Sequence, residues 1–329
     1  CLHYITKYII KHGSLRSFKG CNEAAYAIIV NEGSYEVYGY HLNETFTVTG
    51  IGNVIFDAKS QDSTFTIEAA QDQIFNFTGL TFINGVAPER SGFNRGGAIF
   101  LKGGTLFLEN DTFRSNSAGD GGGAIYINQQ FSSWGERSVA LATIKNCIFE
   151  NNVVTSSGGA IGVYEGNITV IDSLFKGNTA KWGGALNLEM GMANATVINC
   201  TFIDNTVSDR GGAIDAETFI RLNGQEYVFK VFNSTFVHNK AVEGGAIYAS
   251  NAIIVQSIFE NNSANNYGGA IVLSDNRSSV SYSIFENNNA NNGTAYYGNA
   301  TEINHNYWGG NYVRTDDLIN SNIVFIDTT

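Results

Sequence analysis

The chain has little of what usually punctuates or cross-links a fold. Of its 329 residues one is proline and four are cysteine, so neither rigid proline turns nor a dense disulfide framework organises it. No Cys-x-x-Cys pair occurs and the five histidines are scattered, which leaves no metal-ligand spacing. No apolar run reaches the roughly 20 residues of a membrane-spanning helix. Basic residues are also scarce, 19 Lys and Arg against 30 Asp and Glu, for a net charge of −11. That balance argues against nucleic acid and anionic membrane surfaces as partners, because both attract basic patches. Charged residues make up only 15% of the chain, fewer than an array of solvent-exposed helices needs. The sequence opens at Cys1 without a methionine or a signal-peptide pattern, and reads as a processed form or a fragment.

Glycine, asparagine and short β-branched runs are abundant instead. Stretches such as "GGAIYIN" and "NITVIDSLF" have the length and composition of strands. The helix candidates lie near the start, around "YITKYIIKHG" and "CNEAAYA", and suggest a partly helical cap over residues 1–30. Cys1 and Cys21 both fall in that cap, where the sequence leaves a bridge between them open.

Two coupled phrases then recur. The first is Phe-x-x-Asn, from Phe113–Asn116 through Phe149, Phe175, Phe202, Phe236 and Phe259 to Phe285–Asn288. The second is Gly-Gly-Ala-Ile or Gly-Gly-Ala-Leu, beginning at Gly96 and ending with the copy at Gly268. In each paired copy the glycines follow the Phe by 8 or 9 residues, whereas successive Phe residues are 23 to 36 apart. A constant phrase with variable spacers means stacked supersecondary units with insertions at one corner. A degenerate copy surrounds Phe82, and "NYWGGN" places Trp308 where the others have Phe, as a larger ring closing an aromatic stack.

Units of about 25 residues, with three short strands and fixed corners, stack into an all-β, right-handed parallel β-helix. Nine or ten coils give a rod of roughly 45 Å at the ~4.8 Å strand spacing. The helix is expected over residues 31–312, followed by a C-terminal capping segment over 313–329 from which further domains are missing. Alternation puts Ile125 and Ile127 on one apolar face, Asn of Phe-x-x-Asn at a left-handed bend, and the motif Ala on the outside. Cys147 and Cys200 share an inward row with Ser173 and Ser234. They lie two coils and about 10 Å apart, beyond disulfide reach.

The outward rows mix aromatics with carboxylates and amides, the combination that stacks on and hydrogen-bonds to sugars. Trp182, Tyr267, Tyr248, Tyr126, Tyr164, Asp215 and Glu217 are the expected ligand-binding residues. Equally, Tyr126, Tyr164 and Tyr248 are in place as ordinary cross-strand packing partners. "DRGGAIDAE" holds the one constellation resembling catalysis. Asp215 and Glu217 share a face there, and Glu189 occupies the row of Glu217 one coil earlier. Three carboxylates that close suit acid/base work or Ca²⁺. The blander reading, a solvated acidic patch on an acidic protein, has the greater weight. No catalytic residue and no cofactor is therefore expected.

The pairing of Phe-x-x-Asn with Gly-Gly-Ala-Ile resembles the repeats of chlamydial polymorphic outer membrane proteins. The whole series "NEGSYEVYG", "TVTGIGNVIFDA", "LTFINGV", the GGAI copies and "NYWGGN" is similar to the adhesin-like surface proteins of methanogenic archaea, from about Asn31 to Asn311. That resemblance implies an extracellular, cell-surface adhesin, one monomeric segment of a larger protein, attaching to glycan or a partner cell envelope without inserting into a membrane. The same fold houses polysaccharide lyases and galacturonases, but the Asn-Thr-Asp and Arg-Ile-Lys signatures of the latter are missing. A third reading makes the rod a plain spacer.

Overall fold

A computed structural model describes residues 6–10, 26–90, 92–131, 137–217 and 226–309. Each coil meets the next through parallel pairing, and the pairing places repeat on repeat: Phe113 against Phe149, Phe149 against Phe175, Phe175 against Phe202. The architecture is a right-handed parallel β-helix. The coils of Phe149 and Phe175 have three strand segments, because Ile161–Ile171 and Leu186–Ile198 each run on through a corner, whereas those of Phe202, Phe236 and Phe259 have four. The segment just after the motif Asn belongs to a separate six-stranded sheet from Ser117–Ala118 to Ser263–Tyr267, and the other segments of these coils join a 27-stranded sheet. Where there are four, the extra segment arises because a second left-handed residue, three before each Phe, divides what the sequence suggests is one strand.

Along the axis the core is a column of aromatic rings. Tyr35, Phe56, Phe82, Phe113, Phe149, Phe175, Phe202, Phe236, Phe259, Phe285 and Trp308 occupy one row. From Phe82 to Phe285 neighbouring rings are 4.7–4.9 Å apart and within 8° of parallel. Trp308 closes the column at 4.7 Å and 17°. Before Phe82 the geometry changes to edge-on, 5.7 Å and 86° for Phe56 on Phe82. The row has Tyr35 and Phe56 beyond the copies visible as repeats; at about 4.8 Å per step its ten steps span roughly 48 Å.

Backbone at the corners decides which residues the repeat holds constant. Left-handed φ falls on Ser115, Asn151, Gly177, Asp204, His238, Asn261 and Asn287, each the residue before the motif Asn. The expectation that the motif Asn takes the bend is therefore corrected by one position. The bend turns the following amide inward, away from any strand carbonyl, and the next coil's Asn side chain satisfies it. Asn116 N and Nδ2 both donate to Asn152 Oδ1 at 3.0 Å, while Asn116 Nδ2 also donates to the Phe82 carbonyl at 3.1 Å. The same three bonds recur at Asn152, Asn178, Asn205 and Asn239. All these Asn side chains are fully buried.

A second ladder serves the second bend. Left-handed Asn146, Asp172, Asn199 and Asn233 precede the row of Cys147, Ser173, Cys200 and Ser234. Cys147 N donates to Ser173 Oγ and Cys200 N to Ser234 Oγ, both at 3.1 Å. Both thiols are free and buried, as their separation implies, and burial pushes Cys147 up to about 12 and Cys200 up to about 11. Asp111 is the charged member of this row. It accepts from Leu80 N at 2.8 Å, its other oxygen has no partner among the described residues, and burial pushes it up to about 8.

The Gly-Gly corner uses its two glycines differently. Gly158 has φ +71°, and a Cβ on Gly159 would sit 2.0 Å from the Gly184 carbonyl of the next coil. One glycine supplies conformation, the other close approach. Directly after them, Ala124 N and Ile125 N both donate to the carbonyl of Ala160, at 2.9 Å each. Two successive amides pointing the same way break strand alternation, so both side chains face inward. The motif Ala is thus buried, with Ala98, Ala124, Ala160, Ala185, Ala213 and Ala246 all at 0% exposure, and its expected outward placement is corrected. Only a small side chain fits between this bulge and the core.

At the start of the chain the helix expectation gives way to strand. Thr6–Ile10 pairs residue for residue with Tyr26–Val30 in the same stack. Pairing with a neighbouring coil decides the state of this β-branched run. Cys1, Cys21 and the segment after residue 309 lie outside the described residues.

Two stability measurements test these ladders. Asn205→Ala removes the acceptor for Asn178 N and Nδ2 and the donor to the Phe175 carbonyl, and is expected to cost about 3 kcal/mol or more in chemical denaturation. A loss below about 1 kcal/mol would show the ladder to be incidental. Asp111 holds its proton in the folded state up to about pH 8, while an unfolded Asp loses it near pH 4. Stability should therefore fall as pH rises from about 4 to about 8 and then level off. Asp111→Asn should match the parent near pH 4 and exceed it at pH 8 by at least about 1.4 kcal/mol, one pKa unit's worth.

Candidate functional site

The row just before the glycines runs Arg95, Gly121, Ser157, Trp182, Arg210, Glu243, Tyr267, one residue per coil. Large side chains occupy it except at Gly121 and Ser157. The parallel row on the adjoining strand has Gly162 and Asn187 nearby, between Tyr126 and Asp215. Missing side-chain volume over these coils opens a cleft of about 400 Å³. Phe93, Arg95 and Asp120 bound one end and Trp182, Arg210 and Asp215 the other, with Ser157, Asn187 and Glu189 between them.

One wall comes from an insertion. The hairpin of Glu89–Arg90 and Phe93–Asn94 projects from the coil of Phe82 and is tied to the next coil: Asn94 N donates to Asp120 Oδ2 at 2.6 Å, and Asp120 N to the Asn94 carbonyl at 2.8 Å. This fixes Phe93, half exposed, beside the cleft. The Arg95 guanidinium carbon lies 4.2 Å from the centre of the Phe93 ring and 4.7 Å from that of Tyr126.

Tyr126 lies beneath this wall, fully buried, so the expectation of an exposed sugar-stacking ring is corrected. Its ring lies down because positions 121 and 162 are glycine: a Cβ on Gly121 would be 2.4 Å from the ring, and one on Gly162 3.0 Å. Its hydroxyl donates to Glu189 Oε2 at 2.8 Å, and Ser157 Oγ donates to Glu189 Oε1. Burial raises the Glu189 carboxyl above the ordinary range, with the two hydroxyl donors and Arg95 pulling the other way. It raises the Tyr126 hydroxyl too, helped by Glu189.

At the far end Arg210 gathers the other two predicted carboxylates. Its Nε is 3.0 Å from Asp215 Oδ2, its Nη2 is 2.7 Å from Glu217 Oε2, and its guanidinium carbon lies 4.6 Å over the Tyr248 ring. Asp215 is buried, and burial, set against Arg210, pushes its carboxyl up to about 7. Burial works against the charge on Arg210, but the two carboxylates hold its pKa above the usual value. The three-carboxylate cluster expected for acid/base work or Ca²⁺ is not formed. Glu189 turns back toward Tyr126 and Ser157, Asp215 and Glu217 turn to Arg210, and no group of three possible metal-holding side chains occurs among the described residues.

Trp182 is half-buried at the cleft edge, its indole N–H donating to Asp209 Oδ2 at 2.8 Å and its ring under Lys181 Nζ at 3.9 Å. Tyr248 is half-buried on the far side of Arg210. Tyr267 sits three coils from Trp182, roughly 14 Å away, and packs on Tyr297 with ring centres 4.5 Å apart. Tyr164 is half-buried on the coil before Glu189. The structure thus brings Trp182, Asp215 and Glu217 to one cleft and leaves Tyr267 outside it. Phe93, Asp120 and Ser157 join the site without having been expected there, although the two small residues in an otherwise bulky row are a visible sign of the opening.

Residues 112–128, 146–163, 199–217, 233–250 and 256–274 each match the Chlamydia polymorphic membrane protein repeat. The chain is also 32% identical over 158 residues to the probable autotransporter YfaL of Escherichia coli strain K12, which covers 42% of this chain. The chain matches only 12% of that relative's length. Among solved structures it is similar to a rhamnogalacturonan lyase, with 14% identity, 79% of this chain and 80% of the other covered, and a TM-score of 0.40. A mannuronic acid specific polysaccharide family 6 lyase from human gut microbiota gives 8% identity, 92% and 78% coverage and a TM-score of 0.31. Likeness at that level carries no information about chemistry. The matched repeats leave out the coil of Phe175 to Glu189 and the hairpin before Arg95, and those segments supply Trp182, Asn187, Glu189 and Phe93 to the cleft.

The Arg210 pair is open to measurement. Arg210→Gln strands the buried Asp215 and is expected to cost on the order of 2 kcal/mol in urea denaturation. The double change Arg210→Gln with Asp215→Asn should recover most of that loss. Equal losses in the single and double variants would mean that Arg210 does not hold Asp215.

Proposed function

We propose that this chain is the β-helical part of a surface-displayed protein that attaches by binding glycan in the cleft between Phe93 and Trp182. The observation that carries the reading is where the cleft lies. It opens beside intact Gly-Gly corners, where a hairpin and an edge-held indole flank two coils whose residues before the glycines are small, Gly121 and Ser157. A half-buried indole beside amides, carboxylates and guanidinium groups suits a sugar ring, whose faces stack and whose rim hydrogen-bonds. Surface display is supported by the repeats shared with polymorphic membrane proteins and by the likeness to a probable autotransporter. On this reading the protein is extracellular and the helix carries the cleft as a rigid shaft.

A second reading makes the cleft hydrolytic or eliminative. It is favoured by Asp215, a buried carboxyl pushed up to about 7 beside Arg210, in the range of a neutral-pH acid or base.

An array of plant, microbial and host glycans, with and without Ca²⁺, separates the readings when scored for both bound protein and lost glycan. The expected result is retention on intact glycan, weakened at least tenfold by Trp182→Ala and unchanged by Tyr267→Ala. Loss of glycan, abolished by Asp215→Asn, would replace attachment with catalysis. Silence in both scores would leave the rod as a spacer.

A further inference from the structure

Among the cationic side chains around the cleft, Arg95 differs from Arg210 in one respect. Arg210 spends its donors on Asp215 and Glu217, whereas the contacts of Arg95 are with two aromatic faces, and its buried Nε has no hydrogen-bond partner among the described residues. Nearby carboxylates are already engaged by other donors: Asp120 Oδ2 by Asn94 N, Glu189 by the hydroxyls of Tyr126 and Ser157. The ring contacts orient the guanidinium plane without using its N–H groups. A planar fork held this way, its Nε without a hydrogen-bond partner among the described residues, matches a two-oxygen anion.

We propose that the cleft takes an acidic oligosaccharide laid along the helix axis, a carboxylate of one sugar on Arg95 and the ring of a later sugar on Trp182. This rests on the glycan-binding reading above. Arg95 and Trp182 are three coils apart in their row, about 14 Å at the strand spacing, so one sugar does not reach both. Between them the cleft runs over Ser157, Asn187 and Glu189, with Glu189 held down by Tyr126 and Ser157 in the space that Gly121 leaves. The net charge of −11 makes the preference informative: without a dedicated cation, a protein this acidic disfavours anionic ligands.

Calorimetry tests this with the intact chain and four probes: a hexuronic acid monosaccharide, its tetrasaccharide, the carboxyl-reduced tetrasaccharide, and a neutral tetrasaccharide bearing sulfate. The acidic tetrasaccharide should bind at least tenfold more tightly than the reduced one and the monosaccharide, and the preference should shrink with added salt. Arg95→Gln should erase the preference while keeping the Trp182-dependent binding of the reduced form. Arg95→Lys should retain part of it, and provides the readout if Arg95→Gln lowers the melting temperature. Equal binding of acidic and reduced probes, or a preference that survives Arg95→Gln, overturns the assignment. So does selective binding of the sulfated probe, which would make the anion a sulfate. If none of the four binds while the glycan array is positive, Arg95 is not an acid anchor although the attachment reading stands; a silent array removes both.

Discussion

Everything in this protein depends on a buried amide that the backbone cannot satisfy. A left-handed residue ends each Phe-bearing segment, and the amide after it points into the core with no strand carbonyl in reach. An unpaired amide there would cost about 1–3 kcal/mol. The Asn of the next coil answers it with its side-chain carbonyl, sends one of its own side-chain N–H groups onward and returns the other to the preceding coil's Phe carbonyl. This exchange fixes the coils at one spacing and one register. The stacked rings, the Ser and Cys ladder and the Gly-to-carbonyl approach at the opposite corner all follow from that spacing.

Much of this is legible in the repeat itself. A phrase of constant length with spacers of variable length implies a solenoid, and the rows of Phe, Ser and Cys follow from aligning the phrases with one another. What alternation cannot foresee is a place where alternation stops. Two amides donating to one carbonyl after Gly-Gly turn the motif Ala inward, and a bend one residue early gives the motif Asn a buried hydrogen-bonding role. The opening strand resembles a helix in sequence because its partner, not its own propensity, decides its state.

Rows of the site are equally legible, but not the directions of long side chains within them. Glu189 follows Asn187 by two residues as Glu217 follows Asp215, the residue paired with Asn187, yet Glu189 reaches toward Tyr126 because Gly121 and Gly162 leave the space to do so. Tyr126 is covered by a hairpin that arises from an earlier coil. Both outcomes depend on volume that is missing at a distant position in sequence. The cleft arises in the same way: the constant corner is kept, and the opening comes from small residues just before it, Gly121 and Ser157, and from a hairpin inserted in an earlier coil.

The Asn ladder also has a direction. From Asn116 to Asn262 the backbone N–H and one side-chain N–H of the motif Asn donate to the Asn of the C-terminal neighbour, the side-chain oxygen accepts from the N-terminal one where that coil carries the motif, and the other side-chain N–H donates back to the preceding coil's Phe carbonyl. The bonds therefore align head to tail along the rod, and each strengthens the polarity of the next. A coil's bend is completed only by the coil that comes after it in sequence. Through its second side-chain N–H the same Asn also closes on the coil before it, so each motif Asn from Asn116 to Asn262 ties three successive coils together, and a coil cannot be lost from the middle without unpairing groups on both sides.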